Sequence, residues 1–255
     1  MKNRDEWQPS KYVYRKGKLV ASRNKEEVGI GSRLIAGLVA GYYDKYLRQY
    51  AKGKLLDLGC GKVPLFMAYK DCITDNICVD WENTLHKNQH LDVECDLTKA
   101  LPFEDEEFDT IILSDVLEHI FQPESLWKEM SRVLAIKGTI IINVPFFYCL
   151  HERPHDYYRY TEFALRMFVK NSGLKLVQLE AIGGTPAIVA DIIAKHIQFI
   201  PLVGRSISIV IQSITELFLK SALGKKISAN TAQSFPFGYF LIAEKIRTTD
   251  TATVQ

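Results

Sequence analysis

The chain has no Cys-x-x-Cys pair: Cys60, Cys72, Cys78, Cys95 and Cys149 are scattered, and an odd number cannot all be bridged internally. A disulfide framework is not expected, and a reducing cytoplasm fits best. A charge excess of one sign is missing too. Lys and Arg number 32 against 30 Asp and Glu, so charge implies no nucleic-acid partner. Long apolar runs are also missing: between Arg205 and Glu216 only ten residues are uncharged, well short of the ~20 needed to span a bilayer. The charged N-terminus is not followed by an apolar stretch of signal-peptide length, so export is not expected. No internal repeat is visible.

What is present is an ordinary globular composition, 47% apolar and 24% charged over 255 residues, enough to close one α/β domain with insertions. The chain is organised around Leu55-Leu56-Asp57-Leu58-Gly59-Cys60-Gly61, a buried strand running into a tight turn. Glycine there allows positive φ and lets a ligand lie against the main chain. Before it, residues 12–14 and 19–20 flank Lys16-Gly17 as a small hairpin. Apolar residues at three- and four-residue spacing then predict an amphipathic helix over 31–49, with Ser32 as N-cap. After the turn, strands are predicted at 76–80, 91–96, 108–114, 139–144, 175–181 and 238–245, and helices at 123–134 and 161–171. This alternation argues for a mainly parallel sheet covered on both faces.

Residues 185–237 form an insertion far longer than an ordinary connection. Its apolar stripes read in two ways. One is a helical hairpin that lids the core. The other is an interfacial surface, centred on 187–220, that meets lipid or a lipid-linked substrate, with Lys195, Arg205, Lys220, Lys225 and Lys226 near the headgroups. The expected organisation is a covering segment at 1–50, one domain over 51–247 including this insertion, and a disordered tail at 248–255.

Asp80 ends the strand Ile77-Cys78-Val79-Asp80, about twenty positions beyond the glycine turn, where a dinucleotide-binding fold keeps the acid that holds ribose hydroxyls. Trp81 beside it offers a flat apolar face to an adenine ring. A NAD fingerprint needs a third glycine, but Gly61-Lys62-Val63-Pro64 supplies none. Asp57, two positions before Gly59, would moreover repel a phosphate while suiting a ligand with an ammonium group.

This combination resembles the class I S-adenosylmethionine-dependent methyltransferases, whose first motif is acidic-x-Gly-x-Gly-x-Gly. Cys95-Asp96-Leu97, Leu101-Pro102-Phe103, Phe108-Asp109-Thr110-Ile111-Ile112, Ser114-Asp115-Val116-Leu117-Glu118-His119-Ile120 and Arg132-Val133-Leu134 through Gly138 continue the likeness over about residues 50 to 180. Val63 replaces the third glycine, and residues 135–138 lack the usual proline and doubled glycine. The resemblance implies a Rossmann-like fold with a mainly parallel seven-stranded sheet whose last strand is antiparallel. It also implies S-adenosylmethionine as cofactor: Asp57 toward its amino group, Gly59, Cys60 and Gly61 as the backbone turn, Asp80 and Trp81 at the ribose and adenine, Asp96 and Leu97 at the adenine, Ser114 at the methionine portion.

The segment 144–161 should lie beyond the carboxyl end of the fifth strand, beside the transferred methyl. Its His-x-x-Pro-His-Asp-aromatic-aromatic-Arg-Tyr-Thr pattern, His151 to Thr161, resembles a bacterial subgroup associated with surface-polysaccharide biosynthesis. Methyl transfer from a sulfonium is an in-line displacement; alignment can supply roughly 7 to 11 kcal/mol and a general base ~10²- to 10⁴-fold. For a hydroxyl acceptor the base is His155 or His151, with Asp156 an orienting partner, and Tyr157, Tyr158 and Arg159 are candidates to bind a sugar; alternatively these groups staple the loop. His119 reads as structural. His86 and His90 show no metal spacing with the cysteines, so no zinc site is expected. The expected activity is O-methylation of a small-molecule or lipid-linked glycan precursor. The alternatives are a quinone or other lipid acceptor, or a cofactor-binding non-catalytic partner in a biosynthetic complex. The expected location is the cytoplasm, with peripheral contact at the inner face of the membrane as an option.

Overall fold

The computed structural model describes residues 1–82 and 89–247; His86 and the tail at 248–255 lie outside the described residues. In chain order, β1 (Tyr12–Arg15), β2 (Lys18–Ala21) and α1 (Arg33–Tyr50) precede β3 (Lys54–Leu58), α2 (Phe66–Tyr69), β4 (Asp75–Asp80), β5 (Val93–Glu94) and β6 (Phe108–Ser114). Then follow α3 (Pro123–Val133), β7 (Leu134–Pro145), α4 (Glu162–Asn171), β8 (Leu174–Ile182), α5 (Thr185–Ile197), α6 (Gly204–Lys220), α7 (Ala222–Ala232) and β9 (Gly238–Lys245).

Two compact units result. Among the described residues the first comprises 1–8, 46–82, 89–180 and 239–247; the second comprises 9–45 and 181–238. The first is built on a seven-stranded sheet of order β5-β4-β3-β6-β7-β9-β8, with β9 the antiparallel strand. β3 pairs in parallel with β4 and β6, Leu56 facing Ile77 on one side and Ile111 on the other. Leu55, Leu56 and Leu58 are fully buried, as expected for a strand covered on both faces. α3 starts with proline at its first turn, where the missing N–H costs nothing. It buries Leu126, Trp127, Met130 and Val133 along one face, each aliphatic side chain stabilising by roughly 1.5 to 3 kcal/mol. α4 is capped by the Thr161 hydroxyl, which accepts from the Ala164 N–H at 3.3 Å, and is followed by Gly173 at φ +69°.

Three elements differ from expectation. β7 begins at Leu134 rather than 139: with no proline or paired glycine to break it, the chain enters the strand directly and absorbs the misfit as a register shift, with Lys137 at φ +64°. β5 shrinks to two residues because the Asp96 carboxylate accepts from the Thr98 N–H at 3.0 Å and hydroxyl at 2.7 Å and turns the chain there. The insertion folds as three helices rather than a hairpin; Ser221 caps α7, its hydroxyl accepting from the Gly224 N–H at 3.0 Å.

In the second unit, β1 and β2 form the antiparallel hairpin. The start of α1 is satisfied by a distant side chain: buried Gln212 accepts from the Leu34 N–H at 2.9 Å and donates to the Ile30 carbonyl at 2.7 Å. α5 and α6 leave a row of large apolar side chains in solvent, among them Val189, Ile192, Val210, Ile214 and Leu217. Among the described residues no single helix is long and apolar enough to cross a membrane.

Candidate active site

The turn after β3 is held by its own backbone and by the next strand. Gly59 and Cys60 donate their N–H groups to the Val79 carbonyl at 2.8 and 3.0 Å, and Gly61 donates to the Asp80 carboxylate at 2.9 Å. Gly59 sits at φ +66° and Gly61 at +48°. A Cβ on Gly59 would stand 2.4 Å from the Val116 side chain, so both its φ and its surroundings require glycine. Val63 keeps the left-handed φ of +51° that a third glycine would take; it is fully buried, and its carbonyl accepts from the Trp7 indole at 3.0 Å. Asp57 lies buried beneath the turn and accepts from the Tyr69 hydroxyl at 3.2 Å. Leu97 is buried, whereas Ser114, at the end of β6, is half-buried.

At the same end of the sheet, the turn of 3-10 helix Leu117–His119 meets the loop after β7. The Tyr157 and Tyr158 N–H groups donate to the Glu118 carbonyl at 2.9 and 3.3 Å, and the Tyr160 hydroxyl donates to that of Leu117 at 3.0 Å. The His155 ring stands edge-on to Trp81 with centroids 5.1 Å apart, its Nδ1 3.1 Å from the Tyr157 hydroxyl. Asp156 directs its carboxylate at Arg159, which donates through two nitrogens at 2.6 and 2.8 Å, and at His151, whose N–H lies at 2.9 Å and Nδ1 at 3.3 Å. The orienting carboxylate expected for His155 is instead taken up by His151 and Arg159.

Residues 56–142 match the family model described as a methyltransferase domain. The chain carries a methyltransferase domain. It is an enzyme that transfers methyl groups, with S-adenosylmethionine as donor. In fold the methyltransferase is similar to an S-adenosylmethionine-dependent methyltransferase from Archaeoglobus fulgidus, at 18% identity and TM-score 0.50 over 85% of this chain and 93% of that one. Geranyl diphosphate methyltransferase in complex with S-adenosylmethionine is similar at 15% identity and TM-score 0.52, over 88% and 93% of the two chains. The (4+2)-cyclase SpnF is similar at 14% and 0.52, over 82% and 83%. At these identities the likeness is one of fold, and fold does not fix chemistry. No curated protein matches the chain.

The donor set of the methyltransferase fits its cofactor. Two carboxylates, Asp57 and Asp80, lie at the glycine turn, a field that favours a sulfonium and an ammonium over a phosphate. Burial pushes the Asp57 carboxyl up to about 7, with the Tyr69 hydrogen bond opposing and the Asp80 charge adding to it. In the loop, the Arg159 guanidinium holds Asp156 well below the usual carboxylate range. Burial, and then the His119 charge, pushes His151 down against the pull of Asp156. Burial, and then the Asp115 charge, pushes Glu118 well above the usual range.

Sequence reading passed over Glu118 and His119 as a site. Glu118, His119 and His151 bring one donor atom each within 4.8 Å of one another. The available signal was a Glu-His pair just past one strand end and a histidine just past the next.

Proposed function

We propose that the enzyme methylates a hydroxyl oxygen of a glycan or related envelope precursor, with His155 accepting the proton. The observation that carries this reading is the loop after β7, where His155 stands at the carboxyl end of the sheet with Tyr157 and Tyr158 exposed beside it. Exposed rings suit the face of a sugar. S-adenosylmethionine supplies the electrophilic methyl; the chain supplies alignment and a base. Among the described residues the His155 Nε2 makes no hydrogen bond, whereas the His151 Nε2 faces the His119 Nε2 at 3.1 Å, which leaves His155 the freer base.

The test is transfer of labelled methyl from S-adenosylmethionine into fractions of sugar nucleotides, lipid-linked glycans, quinones and other lipids. Label in a glycan fraction, lowered about 10²- to 10⁴-fold by His155→Ala with cofactor affinity near wild type, is expected. Label confined to quinones or lipids moves the acceptor class. No label in any fraction with cofactor bound leaves a non-catalytic partner.

The apolar row on α5 and α6 favours a lipid-linked form of this acceptor. An exposed apolar face, with Arg205 exposed on the same helix and Lys225 and Lys226 exposed on the next, suits the surface of an anionic membrane. Wild type should float with anionic vesicles and the double variant Val210→Glu, Leu217→Glu should not; equal flotation defeats the membrane reading.

A further inference from the structure

Both imidazoles beside Glu118 have their protons assigned by their partners. The His119 Nδ1 lies 2.8 Å from the His155 carbonyl, which only accepts, so that nitrogen carries the hydrogen. The His151 Nδ1 lies 3.3 Å from both the Cys149 carbonyl and the Asp156 carboxylate, again two acceptors, so it too carries the hydrogen. Each ring, when neutral, therefore turns a bare Nε2 lone pair inward. The two Nε2 atoms face each other at 3.1 Å. Two lone pairs at that separation repel unless a cation joins them.

The third member is Glu118. Its side chain is fully buried, and among the described residues neither carboxylate oxygen has a hydrogen-bond partner from another residue. A carboxylate buried without a donor from a neighbouring residue is costly to ionise unless a cation meets it. Its Oε1 lies 3.8 Å from the His119 Nε2 and 3.7 Å from the His151 Nε2. A triangle with sides of 3.1, 3.7 and 3.8 Å has a circumscribed circle of radius about 2.1 Å, so one point stands about 2.1 Å from all three atoms. Zinc holds nitrogen and carboxylate ligands at ~2.0 to 2.2 Å. The carbonyl on one imidazole and the carboxylate on the other are the outer partners that fix metal-binding histidines in orientation.

We infer that Glu118, His119 and His151 form a binding site for a divalent first-row transition metal of the zinc type, with three protein ligands and a fourth position open. His119 is then a ligand rather than a structural residue, and the expectation of no zinc site, drawn from His86, His90 and the cysteines, is replaced by one built on other residues. His151 is the most exposed of the three side chains at 25%, so solvent reaches the cluster beside it, where the Glu152 carboxylate also stands 3.9 Å from the His119 Nε2. An oxygen bound there would have its pKa lowered by the ion. The inference holds whether or not the acceptor is a glycan.

The experiment uses the full chain without an affinity tag, stripped with chelator and titrated with Co²⁺ and then Zn²⁺. One Co²⁺ per chain, with visible absorption bands of four- or five-coordinate cobalt that Zn²⁺ abolishes, is expected. Glu118→Gln, His119→Ala and His151→Ala should each weaken binding at least tenfold, and exposed His196→Ala should leave it unchanged. As a readout that needs no variant, ¹⁵N imidazole spectra of the wild-type chain should show two Nε2 resonances shifting on Zn²⁺ addition while their Nδ1–H groups persist. Absence of those shifts, or equal affinity in wild type and all three ligand variants, overturns the site and leaves the two histidines sharing a proton.

Discussion

At the turn after β3, the groups that shape the site come from a few consecutive residues and the strand beside them, whereas the loop after β7 takes its shape from segments more than thirty residues apart. Gly59, Cys60 and Gly61 spend their N–H groups on Val79 and Asp80. His151, Asp156 and Arg159 hold one another, and the carbonyls of Leu117, Glu118 and His155 join this loop to the turn after β6. The turn after β3 thus rests on backbone geometry that tolerates little variation. The loop after β7 rests on side-chain networks, which can change chemistry without changing the fold.

The comparison is broken most directly at Gly59. Gly59→Ala should destabilise the protein by about 3 kcal/mol, from left-handed strain plus a clash with Val116, and should abolish cofactor binding. Denaturant unfolding and calorimetry measure both, and retention of cofactor affinity would show that the turn does not contact the ligand. Asp156→Asn leaves the Arg159 guanidinium half-paired and should cost about 2 kcal/mol. Unlike Gly59→Ala it should leave cofactor affinity nearly unchanged while lowering turnover. Asp156 is held low, so its contribution is present above a pH of about 4 and is lost as the wild type is acidified below that.

A third effect is a slope, spread over several pH units. The Asp57 pKa is raised on folding to about 7, so its stability contribution is complete below about 3.9, its unfolded value, and is lost as pH rises through 7. Without cofactor, thermal melts of the wild type should fall relative to Asp57→Asn between pH 4.5 and 8, at no more than about 1.4 kcal/mol per pH unit. Parallel melting curves would mean that Asp57 stays ionised in the fold.

Legibility in the sequence followed the same divide. The bounds of β6 and β9 were readable because a strand buried on both faces is a largely apolar run. β7 was readable only from 139 on, since its first residues carry Lys137 and a register shift that no periodicity signals. Three helices in the insertion could not be told from two. Apolar spacing was visible, but the cap at Ser221 and the break before it depend on local backbone closure.

The sequence by itself determined the α/β order, the glycine turn and the acids at the ends of β3 and β4, because strand burial and positive φ act over a few neighbouring residues. Only the tertiary structure decided that Asp156 belongs to His151, that His155 stands against Trp81, and that Glu118 and His119 meet His151. Those pairings depend on two loops brought to one end of a parallel sheet, and spacing along the chain carries no record of which way a side chain turns when it arrives there.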